Sequence, residues 1–183
     1  ISLTPAPGSA QLQGPAGPAT PVWAYEGQVP GPVLRLRQGQ PAAITVTNRL
    51  AEPTTVHWHG IRLPYDMDGV PGLPLAPISP GESFTYRFVP PDAGTFWYHP
   101  HFDSAQQVGR GLHGVLVVDE PEPPAVDRDL IWALGDWRLD PGGSIRGDFG
   151  VMPDLMHDGR IGNTVTVNGR PPEDLSVRSG ERL

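Results

Sequence analysis

The sequence predicts an all-β protein folded as a Greek-key β-sandwich. Alternating or apolar strand patterns recur at short intervals, and turn signals separate them. The chain has 24 proline and 23 glycine residues among 183, about a quarter of the total, which indicates many turns when it accompanies clear strand patterns. The predicted strands lie at residues 22–25, 33–37, 42–48, 54–62, 83–89, 94–99 and 114–118.

The segments between these strands carry proline and glycine turn chemistry, such as PGP at residues 30–32 and SPGE at residues 79–82. A different composition follows the last strand, where residues 120–127 read EPEPPAVD. A proline-rich acidic stretch of this kind is typical of a linker between domains. The sequence therefore predicts a first domain over residues 1–120, a linker over 121–128, and the beginning of a second domain over 129–183, with strands at 129–137 and 163–168.

Two His-X-His pairs carry the most chemical information in the chain. His57 and His59 flank a tryptophan, and His99 and His101 flank a proline. Because successive side chains of a strand alternate between its faces, each pair points one way, and two neighbouring strands would bring all four imidazoles to one patch. Proline in the second pair cannot donate a ladder hydrogen bond, so this pair is expected at a strand end or edge.

A lone strand histidine is usually structural, whereas two such pairs favour a metal site. Zinc also accepts imidazole, but structural zinc usually recruits cysteine, which this chain lacks. Imidazoles without a carboxylate suit copper, which heads the affinity order of the divalent metals for nitrogen ligands. Ligand chemistry alone therefore favours copper and leaves zinc open.

Four motifs follow one another along the first part of the chain: TVHWHG at residues 55–60, DGVPG at 68–72, ISPG at 78–81 and GTFWYHPH at 94–101. Together they resemble the first cupredoxin domain of the multicopper oxidases, the family of laccases and bacterial cuprous oxidases. The resemblance covers about the first 120 residues, and the later sequence resembles the opening of a second cupredoxin domain. It implies a cupredoxin-like sandwich and an enzyme that couples oxidation of phenolic, aromatic or metal-ion substrates to the reduction of dioxygen to water.

The resemblance also implies the role of each histidine. His57 would bind the type 2 copper, and His59, His99 and His101 would bind the type 3 pair of a trinuclear cluster, with partner histidines supplied by a C-terminal domain. A type 1 copper needs a cysteine thiolate, so that site is expected in the missing C-terminal part. We therefore expect these residues to be an N-terminal fragment of a longer oxidase, inactive by itself.

Asp68 is the candidate proton relay. It follows His59 in the loop where the family places a carboxylate near the cluster, and dioxygen reduction consumes protons that such a group could deliver. The alternative is an Asp-Gly turn, which the pair formed by Asp68 and Gly69 also favours. Asp66 is the less favoured substitute.

The remaining candidates are weaker. His113 precedes an apolar strand, and a structural role is favoured over metal binding. Met152, Met156 and His157 offer soft ligands for cuprous ion but lie in a loop without a repeat. The aromatic residues around the histidine pairs are expected to pack the sandwich and to hold the histidine-bearing strands, with a secondary role in shielding the cluster. They are Phe96, Trp58, Trp97 and Tyr98.

Charge and hydropathy exclude some classes of binding partner. A net charge of −7 argues against nucleic acid, since phosphates need a basic patch. The sequence has no apolar stretch of the roughly 20 residues that cross a bilayer. The resemblance favours a periplasmic or secreted bacterial protein whose export signal has been removed. Its expected partners are dioxygen and a reducing small molecule or metal ion.

Two other functions compete with the oxidase. Some periplasmic cell-division proteins share this fold, have lost the copper ligands and act by binding partners. A passive metal-binding module is the second alternative. The presence of all four histidines argues against the first, and a His-Cys-His motif further along the protein would exclude the second.

Overall fold

The structure is a computed structural model that describes residues 1–72, 75–156 and 159–183. Strands dominate within these ranges. They are β1 (Ser2–Leu3), β2 (Pro5–Ala10), β3 (Thr20–Tyr25), β4 (Gly31–Arg37), β5 (Ala42–Thr47), β6 (His57–His59), β7 (Ser83–Phe88), β8 (Gly94–His99), β9 (Gly114–Asp119), β10 (Leu134–Trp137) and β11 (Thr164–Val167). Two short helices, α1 (Ser104–Gly109) and α2 (Met152–Met156), and a 3-10 turn (Tyr65–Met67) join them.

Two sheets form the predicted sandwich. One has the strand order β4-β9-β8-β6, and the other has the order β1-β5-β7. Each sheet contains one parallel pair, β4 with β9 and β1 with β5, whereas its other pairs are antiparallel. The main core lies between the sheets and includes Ile44, Val46, Tyr86 and Phe88 from one and Leu34, Trp58, Tyr98 and Leu116 from the other. The predicted all-β class is confirmed.

A second, smaller core joins residues on both sides of the predicted linker. The hairpin of β2 and β3 contributes Val22 and Ala24, and the ribbon of β10 and β11 contributes Trp137. Leu12, Val29 and Leu139 complete this core. The ribbon therefore packs directly on the first part of the chain, and the division at residues 121–128 stays a prediction.

The prediction of a strand over residues 54–62 is wrong at both ends, because β6 contains only three residues. On its N-terminal side, Thr54 forms an isolated bridge with Ile78 instead of joining the ladder. On its C-terminal side, Gly60 has a positive φ of 93°, which turns the chain out of the strand. The strand predicted at 129–137 begins only at Leu134, and β2 was not predicted because two prolines interrupt its pattern.

None of the helices in the described ranges combines the length and the apolar character needed to cross a bilayer.

Candidate metal centre

One face of the β6–β8 pair carries three of the four histidines. In the antiparallel register His57 lies opposite His99, and His59 lies opposite Trp97. These four side chains point away from the core, whereas Trp58, between the first two histidines, is fully buried in it. Strand alternation thus places the three imidazoles and Trp97 on one side of the pair and Trp58 on the other.

His57 stands at the centre of the group. Its ring centroid lies 5.5 Å from that of His59, 5.4 Å from that of His99 and 5.4 Å from that of His101. Nitrogen atoms of His57, His59 and His99 all lie within 4.8 Å of one another, a spacing at which they could hold a metal ion. All four predicted histidines therefore meet in one place.

The loop that carries Asp68 fixes the orientation of His57. His57 Nδ1 lies 2.7 Å from the backbone carbonyl oxygen of Asp68, and the only role open to it beside a carbonyl is that of donor. Its Nε2 is then the unprotonated nitrogen, free to bind a metal. The Asp68 carboxylate is also near, with Oδ1 3.3 Å from the same Nδ1.

Gly69 allows this loop to approach β6. It has a φ of +75°, and a Cβ atom at this position would lie 1.7 Å from the carbonyl oxygen of Val56. No other residue fits such a contact without moving the loop, so the DG pair of the sequence positions the backbone of Asp68 on His57.

His99 is held in a similar way. Its Nδ1 lies 2.9 Å from the backbone carbonyl oxygen of Pro100, and its Nε2 lies 3.3 Å from Nδ1 of His59. Its ring stacks on that of Trp97 with 3.9 Å between centroids. Its pKa is lowered to about 4, mainly by burial and also by the neighbouring histidines, against the opposing effect of the Pro100 carbonyl. His99 is thus neutral near pH 7, as a metal ligand must be.

Two contacts anchor the segments around the histidines. The backbone N–H of Val56 donates to the hydroxyl of Tyr86, 3.0 Å away on the opposite sheet. The backbone N–H of His101 donates to Oγ1 of Thr55 at 3.0 Å.

The strand β8 ends at His99, so the prediction that the second histidine pair lies at a strand end is confirmed.

The weaker candidates are not members of the group of four histidines, although one of them lies near it. His113 lines a cavity of about 520 Å³ together with Trp97, Trp137 and His99, and burial lowers its pKa to about 4. Among the described residues, none hydrogen-bonds to its buried Nδ1. Met152 and Met156 are exposed on α2, and His157 lies outside the described residues. Asp66 lies in the 3-10 turn that precedes Asp68.

Sequence reasoning missed two residues of the site and gave a third, Trp97, only a secondary role there. Trp97 was expected chiefly to pack the sandwich with Trp58, Phe96 and Tyr98, but it is 38% exposed and stacks on His99. The alternation that pairs positions 97 and 99 on one face was a signal for this placement. Thr55 and Gln107, both fully buried, gave no comparable signal because their role depends on contacts between distant segments.

The part of the chain that contains the four histidines is similar to known proteins. Residues 8–123 match the family model described as multicopper oxidase. The chain is 43% identical over 154 residues to the multicopper oxidase MmcO of Mycobacterium tuberculosis, which covers 84% of this chain and 29% of that protein. It is 47% identical over 113 residues to copper resistance protein A of Escherichia coli, which covers 61% of this chain and 18% of that protein.

A solved structure of a multicopper oxidase from Pseudomonas thermotolerans aligns with a TM-score of 0.88 at 47% identity over 93% of this chain and 41% of that one. One from Pseudomonas parafulva aligns with a TM-score of 0.85 at 41% identity over 92% of this chain and 41% of that one. The chain thus spans less than a third of the length of the two curated relatives and about two fifths of each solved chain.

Proposed function

Because this chain belongs to the multicopper oxidase family, we propose that it supplies four histidine ligands to a trinuclear copper cluster of a laccase-like oxidase. His57 binds the type 2 copper, and His59, His99 and His101 bind the type 3 pair. The observation that carries this proposal is the convergence of three imidazoles on His57, with each centroid about 5.5 Å away.

The donor set fits copper. His57 and His99 each direct Nδ1 toward a backbone carbonyl, which fixes the ring and leaves Nε2 for the metal. Imidazole nitrogen suits copper in both oxidation states. When bound, copper supplies the one-electron chemistry that couples oxidation of the reducing substrate to reduction of dioxygen to water.

The chain's own residues orient the ligands and handle protons. The Asp68 carboxylate is 35% exposed and lies 3.3 Å from Nδ1 of His57, so it touches both solvent and the site. We assign it the role of proton relay between water and the cluster. Its backbone carbonyl has the separate role of orienting His57.

Other parts of the oxidase belong to the proposal as well. The chain has no cysteine, so the type 1 copper and the partner histidines are assigned to a C-terminal cupredoxin domain outside these residues. The reducing substrate meets that copper and is a phenol, an aromatic amine or a metal ion. The similarity to proteins named for copper resistance favours export to the periplasm or beyond.

The metal content of the copper-loaded protein, with its absorption and paramagnetic spectra, tests this function. The protein measured is the intact oxidase, including the proposed C-terminal domain, and its wild type should bind copper and consume oxygen. His57→Ala should lose the paramagnetic type 2 signal, and His99→Ala should lose the type 3 absorption. His113→Gln is the matched control, since it removes a histidine outside the group and should keep both features.

A protein that binds only zinc, or no metal, and consumes no oxygen would contradict the proposal. The metal-free partner-binding relative would then be the better description.

A further inference from the structure

His101 differs from the other three histidines in how it reaches the site. The strand β8 ends at His99, and Pro100 prevents the ladder from continuing. Strand geometry therefore cannot direct the ring of His101, which is exposed. Its centroid nevertheless lies 5.4 Å from that of His57, so another contact must fix its backbone.

Thr55 provides the direct contact. Its side chain is fully buried, and its Oγ1 accepts a hydrogen bond of 3.0 Å from the backbone N–H of His101. Thr55 lies two residues before His57, so this bond ties the segment of the second histidine pair to the segment that leads into the first.

Gln107, six residues after His101, also connects the segment of the second histidine pair to the segment that leads into the first. It belongs to α1, which begins three residues after His101, and it is fully buried. Its Oε1 accepts from Oγ1 of Thr54 at 2.7 Å, and its Nε2 donates to the carbonyl oxygen of Pro53 at 2.9 Å. Nε2 also donates to the carboxylate of Glu52 at 2.9 Å.

Every polar atom of the Gln107 side chain thus contacts residues 52–54. Buried polar groups are costly when unpaired, so a fully paired glutamine holds two segments in one register. Residues 52–55 and residues 101–107 form a closed polar clasp, and His101 lies at one end of it, facing His57.

We propose that Thr55 and Gln107 are positioning residues that place His101 against His57 as a copper ligand. The inference rests on the proposed function for the identity of the metal. The hydrogen bond that carries it can be measured without metal.

The first test compares Thr55→Val, which removes the hydroxyl at nearly constant volume, with Thr55→Ser, which keeps it. In the metal-free protein, amide exchange at His101 should be about fivefold or more faster in Thr55→Val than in the wild type, the factor expected for loss of one hydrogen bond. Thr55→Ser should restore the wild-type rate.

The second test is copper binding to Thr55→Val and Gln107→Leu, each made in the intact oxidase. Thr55→Val and Gln107→Leu should bind the type 3 coppers about 10- to 100-fold more weakly, the loss usual when a group that orients a histidine ligand is removed. The type 2 signal of His57 should remain. Thr45→Val is the matched control, since it removes a threonine hydroxyl that pairs with Thr85 on the other sheet.

Unchanged exchange at His101 in Thr55→Val would overturn the inference. Faster exchange with copper bound as in the wild type would also overturn it, because the hydrogen bond would then serve the fold alone. A wild-type protein that binds no copper would refute the proposed function, and the metal-free exchange rates would then decide whether the clasp holds His101.

Discussion

Asp68 contributes two different groups to the site, and a single substitution separates them. Asp68→Asn removes the charge and the proton-accepting ability of the side chain but keeps the backbone carbonyl that lies 2.7 Å from His57 Nδ1. If the proposed function holds, Asp68→Asn in the intact oxidase should leave the copper content unchanged and lower oxygen consumption about 100-fold, within the range of a lost general acid. Measurements of copper content and oxygen uptake on the same preparation check this.

Asp66→Asn is the control, because it removes a neighbouring carboxylate of the same loop and should leave oxygen uptake unaffected. If Asp68→Asn lost copper, the carboxylate would be needed to hold the site together. If it lost neither copper nor activity, the Asp-Gly turn would account for Asp68 completely.

His113 should make the protein sensitive to acid. Burial lowers its pKa from 6.5 to about 4 in the folded state. Between these values the unfolded chain binds a proton that folded His113 does not, so the free energy of unfolding falls as the pH decreases from 6.5 to 4 and this contribution is constant below that range. The contribution amounts to at most about 3 kcal/mol.

Urea unfolding at pH 7 and at pH 4 measures this effect in the wild type and in His113→Phe. The free energy of unfolding should fall further in the wild type than in the variant. His99 also has a lowered pKa, but it is present in both proteins and cancels in the comparison. Equal losses in the two proteins would show that His113 takes up its proton while folded.

At the scale of elements, the sequence predicts the second histidine strand well, overextends the first, and predicts the loops between them poorly. The residues 94–99 were predicted as a strand and form β8, because their alternation is a local property of the chain. Alternation also placed His57 and His59 together. The placement of Asp68, by contrast, depends on a glycine that touches another segment of the backbone, which no local pattern reveals.

The same limit applies to the clasp around His101. Thr55 and Gln107 are separated by more than fifty residues, and neither residue type indicates by itself that it is buried. The family resemblance named the four histidines, and the hydrogen bonds that orient them became visible only in the folded chain.

Gly69 tests whether the loop must lie against β6. Gly69→Ala would place a Cβ 1.7 Å from the Val56 carbonyl oxygen at a φ of +75°. Gly39→Ala is the matched control, with a φ of +73° and nothing within 4 Å. The control should lose about 1 kcal/mol from backbone strain alone, and Gly69→Ala should lose at least about 2 kcal/mol.

Urea unfolding measures the free energy of unfolding of Gly69→Ala and of Gly39→Ala, and the difference between their losses tests the contact with β6. Gly69→Ala should also weaken the proposed copper binding by His57, since the carbonyl oxygen of Asp68 would move away from His57 Nδ1. Equal losses of stability in both variants would mean that the loop can withdraw from β6 without cost and does not orient the histidine.

For the whole molecule, the question is whether residues 129–183 are independent of the sandwich. The match to the family model ends at residue 123, which agrees in position with the predicted linker. The contacts do not follow this division. Trp137 is 4% exposed and packs with Val22, Ala24 and Val29, and its indole N–H donates to Oγ1 of Thr166 at 2.9 Å.

Residues 129–183 share a core with the preceding part of the chain, so neither part can lose these contacts alone. We therefore expect both parts to unfold in a single transition. Trp137→Ala should lower the free energy of unfolding by about 3–5 kcal/mol, the cost of truncating a buried tryptophan. Trp132→Ala should change it by less than about 0.5 kcal/mol, since this tryptophan is 62% exposed. Urea unfolding followed by circular dichroism at several wavelengths measures both variants.

The number of urea unfolding transitions in Trp137→Ala tells more about domain independence than the midpoint urea concentration does. If Trp137→Ala lowered the midpoint of a single transition, the ribbon of β10 and β11 would stabilise the sandwich that holds the histidines. If a second transition appeared while the first kept the wild-type midpoint, residues 129–183 would be a separate unit. The small core around Leu12 favours the first result, because two of its members, Trp137 and Leu139, follow the predicted linker and the other four precede it.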